Sequence, residues 1–177
     1  MNPNCIICKS VHDNEVKVVY EDEKIVAFLA QRPASVGHVI ITSREHYAII
    51  EQVPDFIISH MFNIANKISA ALFDSLSIQG TNILVQNGIE AGQQHPHFSV
   101  HVIPRIEGDK LELQWKTLSP SQEELATVEL QLKDHVKNIG EFEKEKPPPI
   151  NIDSKKETYS YDDEEENYLM RQLRRLP

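Results

Sequence analysis

Short runs of hydrophobic residues and two longer helical patterns divide most of the chain into elements. The short runs are rich in β-branched and aromatic residues, which predicts five β-strands, at residues 16–20, 25–30, 38–42, 81–86 and 98–103. Apolar residues follow helical spacing from Pro54 to about Ser75, which predicts one long helix. A second helix is predicted from the capping pair Ser121 and Glu124 to about Gly140.

Beyond Gly140 the composition changes, to a charged and proline-bearing stretch that is poor in aliphatic residues. We therefore predict one domain over residues 1–140 and a C-terminal arm or extension over residues 141–177. The final ten residues, YLMRQLRRLP, regain apolar character. They are consistent with a segment that docks on the core or on a partner subunit, and equally with a frayed tail.

Charge and composition exclude some classes of protein. The 177 residues carry a net charge of -9, and no basic patch is evident that would neutralise a nucleic-acid backbone. No apolar run approaches the length that spans a bilayer, and the N-terminus has no hydrophobic signal segment. We expect a cytoplasmic protein that binds neither nucleic acid nor membrane, and we expect no structural disulfide between its two cysteines.

Two short motifs carry candidate chemistry. Cys5 and Cys8 have the spacing of half a zinc site, although two packed cysteines or a redox pair remain open. In HPHFSVHVIPR, alternation along a strand places His97, Ser99 and His101 on one face, and Phe98 and its alternate neighbours on the other. The loop before this strand is glycine-bearing and could present amides to an anion, or it could be a simple hairpin loop.

The ordered blocks CIIC, VVYEDEKIVAFLA, PASVGHVIITSREH, NGIEAGQ and HFSVHVIPR resemble the histidine triad (HIT) family from Cys5 to Arg105. The late helix and the C-terminal residues also look like those of archaeal members. The resemblance implies an α+β fold with an antiparallel sheet of about five strands and two main helices. It further implies a homodimer that binds purine nucleotides and hydrolyses phosphoramidates, dinucleoside polyphosphates or similar compounds.

The resemblance also implies site residues. It gives a structural zinc four ligands: Cys5, Cys8, His46 and His97. It makes His101 a phosphate-contacting histidine, Gln93 the loop glutamine beside the scissile bond, and Asn87 a second phosphate contact. Phe28 becomes part of the base pocket, and His38 a mainly structural residue.

Two positions depart from the family pattern. Ser99 stands where the family has its nucleophilic histidine, and Ala30 stands where an aspartate or asparagine grips the ribose. A serine oxygen lies closer to the backbone than an imidazole nitrogen, and a nucleotidylated serine is a stable phosphodiester. Loss of a nucleophile costs on the order of 10⁴–10⁶ in rate. His95 lies out of phase with the triad face and is a poor substitute.

Several functions remain open on this basis. The first is a divergent HIT hydrolase with impaired or redirected nucleotidyl chemistry, in which His101, Gln93 and the degenerate position Ser99 form the catalytic set. The second is a non-catalytic sensor of a nucleotide or metabolite. The third is a retooled hydrolase that acts on a purine-like or pterin-like heterocycle with water activated by His101. The fourth is a zinc-stabilised interaction protein that works through its acidic arm.

Overall fold

The computed structural model describes residues 2–137 and residue 139. Five strands form one sheet in the order β1-β2-β3-β5-β4, and each neighbouring pair is antiparallel. The strands are β1 (Lys17–Glu21), β2 (Ile25–Leu29), β3 (Val39–Ser43), β4 (Gly80–Val85) and β5 (Ser99–Arg105). The predicted strands, the hairpin of the first two and the α+β fold class are thus confirmed.

In the part of the chain that the structure describes, three α-helices accompany the sheet: α1 (Ile6–His12), α2 (Asp55–Leu76) and α3 (Gln122–His135). The two predicted helices are confirmed. The capping box of α3 is present, with the Ser121 hydroxyl accepting from Glu124 N–H and the Glu124 carboxylate accepting from Ser121 N–H. Helix α3 ends at His135, whereas the predicted end, Gly140, lies outside the described residues.

The sequence patterns predicted no helix at the cysteine pair, and the structure has one there, ahead of the first strand. Cys5 is the N-cap of α1, and Cys8 lies inside that helix. The helix has seven residues and no side-chain capping bond, so neither periodicity nor a cap could indicate it.

One face of the sheet is covered by α2. The helix buries Ile57, Met61 and Ile64, with Ala65 and Leu72, against strand residues such as Ile41 and Val100. By length and mean hydropathy, 1.2, α2 could cross a membrane, so the expectation that no apolar run has that length is too strict. Its packing against the sheet nevertheless makes it the core helix of this domain.

The opposite face of the sheet carries the candidate site. The register pairs Phe28 with Ile40, Ile40 with His101, and His101 with Leu84 across four neighbouring strands. Residues directly opposite one another in a sheet point to the same face. An aliphatic and aromatic floor therefore surrounds one histidine at the centre of the sheet.

The apolar stripe of α3 faces outward in the single chain. Its predicted members are all at least 40% exposed: Leu125, Val128, Leu132, Val136 and Ile139. The predicted C-terminal arm, residues 141–177, lies outside the described residues.

Candidate functional site

A cavity of about 420 Å³ opens on the face of the sheet opposite α2. Apolar side chains from four strands line it: Phe28, Ile40, Leu84 and Ile103. The side chains of Gln86, Gln93 and Gln94 add uncharged hydrogen-bonding groups. None of the described residues that line it is an aspartate or glutamate, and Arg32 is the one lysine or arginine among them. In a chain of net charge -9 this cavity is therefore suited to an anionic ligand with an apolar part.

The histidine-rich strand has the predicted orientation. His97, Ser99 and His101 all line the cavity, whereas Phe98, Val100 and Val102 are almost wholly buried in the core. The two-residue alternation of β5 produces this division.

His38 and His101 form a hydrogen-bonded pair beneath the cavity. Ala34 N–H donates to His38 Nδ1 at 3.1 Å, so the His38 proton lies on Nε2. His38 Nε2 is 3.1 Å from His101 Nδ1, which must then accept, so the proton of a neutral His101 lies on Nε2. Burial, with the neighbouring His101, lowers the pKa of His38 to about 4, and burial lowers the pKa of His101. At neutral pH His101 therefore offers an N–H donor from an uncharged ring.

Ser99 has its hydroxyl engaged with the backbone. Its Oγ donates to the His97 carbonyl at 3.2 Å. Neither flanking imidazole is placed to act as its base, since His101 Nδ1 already accepts from His38 and His97 Nε2 lies 3.1 Å from the Ser43 carbonyl. A serine nucleophile needs an adjacent general base, and this one has none on its own strand.

Gln93 lines the cavity, but its carboxamide organises the loop. Its Oε1 accepts from Gly88 N–H at 2.7 Å, and its Nε2 donates to the carbonyls of Ala48 and His95. These bonds use both ends of the carboxamide. In this structure Gln93 thus fixes the path of the chain leading into β5.

The structure does not bring Asn87 into the cavity lining. Its Oδ1 accepts from Ile50 N–H at 3.0 Å, and its Nδ2 donates to the Glu51 carboxylate. These contacts lower the pKa of Glu51 and tie the loop that precedes α2 to the end of β4. The phosphate contact of Asn87 stays a prediction, and in this structure its carboxamide bonds to another loop.

Two further positions from the sequence analysis, Ala30 and His95, also line the cavity. Ala30 lines the cavity and offers only a methyl group where a ribose would need an acceptor. His95 was expected out of phase with the triad face, but it precedes β5 and lines the cavity, and its carbonyl accepts from His97 N–H at 2.8 Å.

A second cluster lies beside the cavity. Cys5, Cys8, His46 and His97 each present a ligand atom, and these atoms lie within 4.8 Å of one another. Both cysteine Sγ atoms are 3.5 Å from His97 Nδ1, and Cys8 Sγ is 3.5 Å from His46 Nδ1. Tetrahedral zinc, with Zn–S near 2.3 Å and Zn–N near 2.05 Å, requires S···N separations of about 3.6 Å. The donor set and its spacing therefore fit a tetrahedral divalent metal.

The surroundings of the cluster also fit a metal. Burial lowers the pKa of His97 to about 4, which leaves the ring neutral with a free lone pair. The other ring nitrogen of His97 faces the Ser43 carbonyl, the outer-shell partner that orients a metal-binding histidine. Burial raises the pKa of the Cys8 thiol, so deprotonation of this thiol is unfavourable without a metal. A coordinating metal would offset this cost, because a metal-bound thiol is deprotonated.

Sequence reasoning missed the contribution of the N-terminal helix to the cavity. Ile6, Ile7 and Ser10 of α1 line it. The cysteine motif indicated a metal but gave no sign of a helix that reaches the ligand site. Sequence reasoning also left His38 as a structural residue, whereas its pairing with His101 sets the proton position on that ring.

Proteins similar in sequence to this chain include one without a known activity and one named for its activity. It is 37% identical over 106 residues to an uncharacterized HIT-like protein of Methanocaldococcus jannaschii, covering 59% of this chain and 81% of that protein. It is 33% identical over 109 residues to an adenylylsulfatase of Arabidopsis thaliana, covering 61% of this chain and 55% of that one.

Solved structures agree with the observed fold. A HIT family protein from Bacillus subtilis superposes with a TM-score of 0.69 at 30% identity, covering 74% of this chain and 96% of that one. A zinc-bound histidine triad protein from Mycobacterium smegmatis gives a TM-score of 0.59 at 28% identity, covering 75% and 97% of the two chains.

The family model of the HIT domain matches residues 11–108, which is more than half of the chain. These residues include all five strands, α2 and every residue of the histidine-rich strand. The chain belongs to the HIT domain family.

Proposed function

We propose that this protein binds a nucleotide, or a similar phosphate ester of a flat heterocycle, and that the nucleotidyl transfer of its family is lost or strongly reduced. One observation carries the proposal: in an acidic chain, the cavity holds no carboxylate among its described lining residues and presents His101 as an uncharged N–H donor. A related protein is an adenylylsulfatase, which supports an adenylate-like ligand.

The phosphate end of the ligand is assigned to His101 and Arg32. A phosphate oxygen would accept from His101 Nε2–H, since the His38 bond leaves this nitrogen as the donor. Hydrogen bonds to a charged partner are worth about 1.5–3 kcal/mol. Arg32, exposed at the cavity rim, adds a positive charge for the same anion.

The heterocycle is assigned to the apolar floor. Phe28, Ile40 and Leu84 form a continuous surface across three strands beside His101. Aromatic and aliphatic walls with a few polar groups are typical of ligand pockets for flat rings. The Gln86 and Gln94 carboxamides lie in the same lining and could pair with ring nitrogens or exocyclic groups.

Loss of turnover follows from the environment of Ser99. Its hydroxyl proton is directed to the His97 carbonyl, and no imidazole of β5 is free to receive it. His101 in its Nε2–H form is also a poor base toward water. This weakens both serine catalysis and the alternative in which His101 activates water against a heterocycle. A non-catalytic sensor of a nucleotide or metabolite is therefore better supported than either of these two hydrolases.

Ala30 supports a changed preference for the sugar. Its methyl group cannot accept a hydrogen bond from a ribose hydroxyl. The missing bond corresponds to roughly ten- to a hundredfold in affinity. Discrimination between ribose and deoxyribose should be weak for this protein.

The Cys5, Cys8, His46 and His97 cluster is assigned to structural zinc. Its spacing matches the tetrahedral geometry, all four protein ligands are present, and a solved relative is zinc-bound. With four protein ligands, the ion keeps no open position for water. These residues would hold zinc as a structural ion, and its chemistry would be limited to fixing the chain. Two free cysteines at such a site also suit a reducing, cytoplasmic compartment.

A homodimer is proposed through the exposed edge of β4 and the outer side of α2. Ile83 on β4 and Phe62, Phe73 and Leu76 on α2 are each more than 40% exposed. An edge strand with apolar side chains is a natural pairing surface. Light scattering of the full chain tests this point directly.

The binding proposal is tested by titration calorimetry of the zinc-loaded full chain with AMP. We expect binding in wild type and an affinity at least tenfold weaker in His101→Ala, given the value of a charged hydrogen bond. The exposed His12→Ala variant is the matched control and should bind as wild type does. Equal affinity in the His101 variant would remove this histidine from the site.

A further inference from the structure

The N-terminal segment forms one side of the ligand cavity. Ile6, Ile7 and Ser10 of α1 line it, and so does Val16 ahead of β1. Ile6 is 63% exposed in the free protein, so this side of the cavity is open to solvent. A bound ligand would cover these side chains and bury apolar surface against them.

The same segment is attached to the domain mainly through its cysteines. Within residues 2–16 the buried residues are Cys5 at 3% and Cys8 at 5% exposure. No residue of α1 belongs to the hydrophobic core cluster between the sheet and α2. Two further hydrogen bonds to the domain, from Asn2 to His46 and from Gln31 to the Glu15 carbonyl, are both long at 3.4 Å.

Helix α1 cannot be expected to persist by itself. It has seven residues, and its N-cap makes no side-chain hydrogen bond. Isolated helices shorter than about 12–15 residues are marginal in water. The position of α1 over the cavity therefore depends on the ligand set that joins Cys5 and Cys8 to His46 and His97.

His97 connects the two sites. Its Nδ1 faces both cysteines, and the residue also lines the cavity. Its carbonyl accepts the Ser99 hydroxyl, whose side chain is part of the cavity lining. A change in the cluster thus reaches the cavity through α1 on one side and through β5 on the other.

We propose that zinc and the nucleotide bind cooperatively, with α1 as the shared element. Zinc holds α1 in place as a wall of the cavity, and the ligand packs against Ile7 and Ser10 of that wall. The inference rests on the proposed nucleotide binding, and it identifies zinc as the regulator of that binding. Because coupling between two ligands is reciprocal, AMP must tighten zinc by the same factor by which zinc tightens AMP.

The first experiment compares zinc-loaded and chelator-stripped full chain. Calorimetry with AMP should give an affinity about tenfold weaker, or more, in the stripped protein, within the usual range of coupling. Hydrogen exchange of residues 5–16 should be slow in the loaded protein, slower still with AMP, and fast after stripping. Circular dichroism establishes that the sheet survives stripping.

The second experiment leaves the metal in place. Ile7→Ala removes a cavity-lining side chain of α1, and Val11→Ala removes a similar one from the same helix that does not line the cavity. Both variants should bind zinc as wild type does in the absence of AMP. Only Ile7→Ala should weaken AMP and reduce the effect of AMP on zinc affinity. This pair keeps the test valid even if stripping unfolds the protein.

The outcomes separate the two proposals. Equal AMP affinity with and without zinc overturns the coupling, and equal AMP affinity in the two α1 variants overturns α1 as its shared element; both leave nucleotide binding intact. Absence of AMP binding to the zinc-loaded wild type contradicts the proposed function, and the coupling with it. Hydrogen exchange of residues 5–16 that AMP does not slow, while AMP affinity responds to zinc, would rule out α1 as the shared element.

Discussion

Nε2 of His38 lies 3.1 Å from Nδ1 of His101, and Ala34 N–H donates to the other nitrogen of His38. This chain of two hydrogen bonds determines which nitrogen of His101 carries a proton in the cavity. His101, which is proposed to contact the ligand, is thereby an N–H donor. The buried His38 determines the protonation of its ring.

Replacement of His38 tests this relationship. His38→Phe keeps a buried ring but removes the donor to His101 Nδ1. We expect nitrogen NMR of wild type to find His101 protonated at Nε2, and the variant to lose that preference. AMP affinity should fall about two- to tenfold, the worth of one net hydrogen bond. A His101 ring protonated at Nδ1 in wild type would contradict the arrangement.

The same pair predicts a pH dependence of stability. The pKa of His38 is lowered by burial and by His101, to about 4, from its ordinary value near 6.5. Between these two values the unfolded chain binds more protons than the folded one, so stability falls as pH decreases from about 6.5 toward 4. Above about pH 6.5 the contribution is constant. Urea unfolding at several pH values should give a shallower pH dependence for His38→Phe than for wild type.

Restoring an imidazole at position 99 should restore the family chemistry. In Ser99→His the ring has a neutral nucleophilic nitrogen, which the serine lacks. Hydrolysis of adenosine phosphoramidate should rise by about 10⁴-fold or more. Intact mass should reveal an adenylylated intermediate. Ser99→Ala is the control, and its rate should equal that of wild type. A slower Ser99→Ala would mean that the serine hydroxyl takes part in catalysis.

Removal of one metal ligand should affect the metal and the N-terminal helix together. His46→Ala should lose stoichiometric zinc. The backbone amides of α1 should also lose their protection against hydrogen exchange. The loss in stability should reach about 4 kcal/mol where free zinc exceeds its Kd a thousandfold. His95→Ala, a nearby histidine outside the cluster, should keep its zinc. Zinc retained in His46→Ala would rule out the four-ligand site.

An acceptor at position 30 should change sugar selectivity. Ala30→Asp introduces a carboxylate where the cavity has a methyl group. Relative to wild type, the preference for AMP over deoxy-AMP should increase about tenfold or more. Ala30→Leu, which adds volume without an acceptor, should not create that preference. Titration of both nucleotides into each variant measures the effect.

Much of the fold can be predicted from the sequence, because the strands and the long helix have strong hydrophobic periodicity. Alternation in FSVHVI placed His101 opposite the core, and the register then set it among Phe28, Ile40 and Leu84. The four residues of the candidate metal cluster could be named from the sequence because the family resemblance supplied the two histidines that spacing could not indicate.

What the sequence could not indicate depends on side-chain geometry and on short elements. The carboxamide of Asn87 bonds to Ile50 and Glu51 and does not line the cavity. The sequence pattern does not indicate which of these directions the side chain takes. Helix α1 is too short for periodicity, so its side of the cavity was missed. The proton position on His101 depends on a backbone N–H four residues before His38.

The cavity is proposed to hold a nucleotide without transferring it. Phosphorus NMR of adenosine phosphoramidate with an equimolar amount of zinc-loaded wild type measures both nucleotide binding and nucleotidyl transfer. We expect a shifted or broadened phosphorus signal that persists for hours, while Ser99→His converts the same compound to AMP. Conversion by wild type at a rate close to that of Ser99→His would contradict the loss of transfer, and an unperturbed signal would contradict binding.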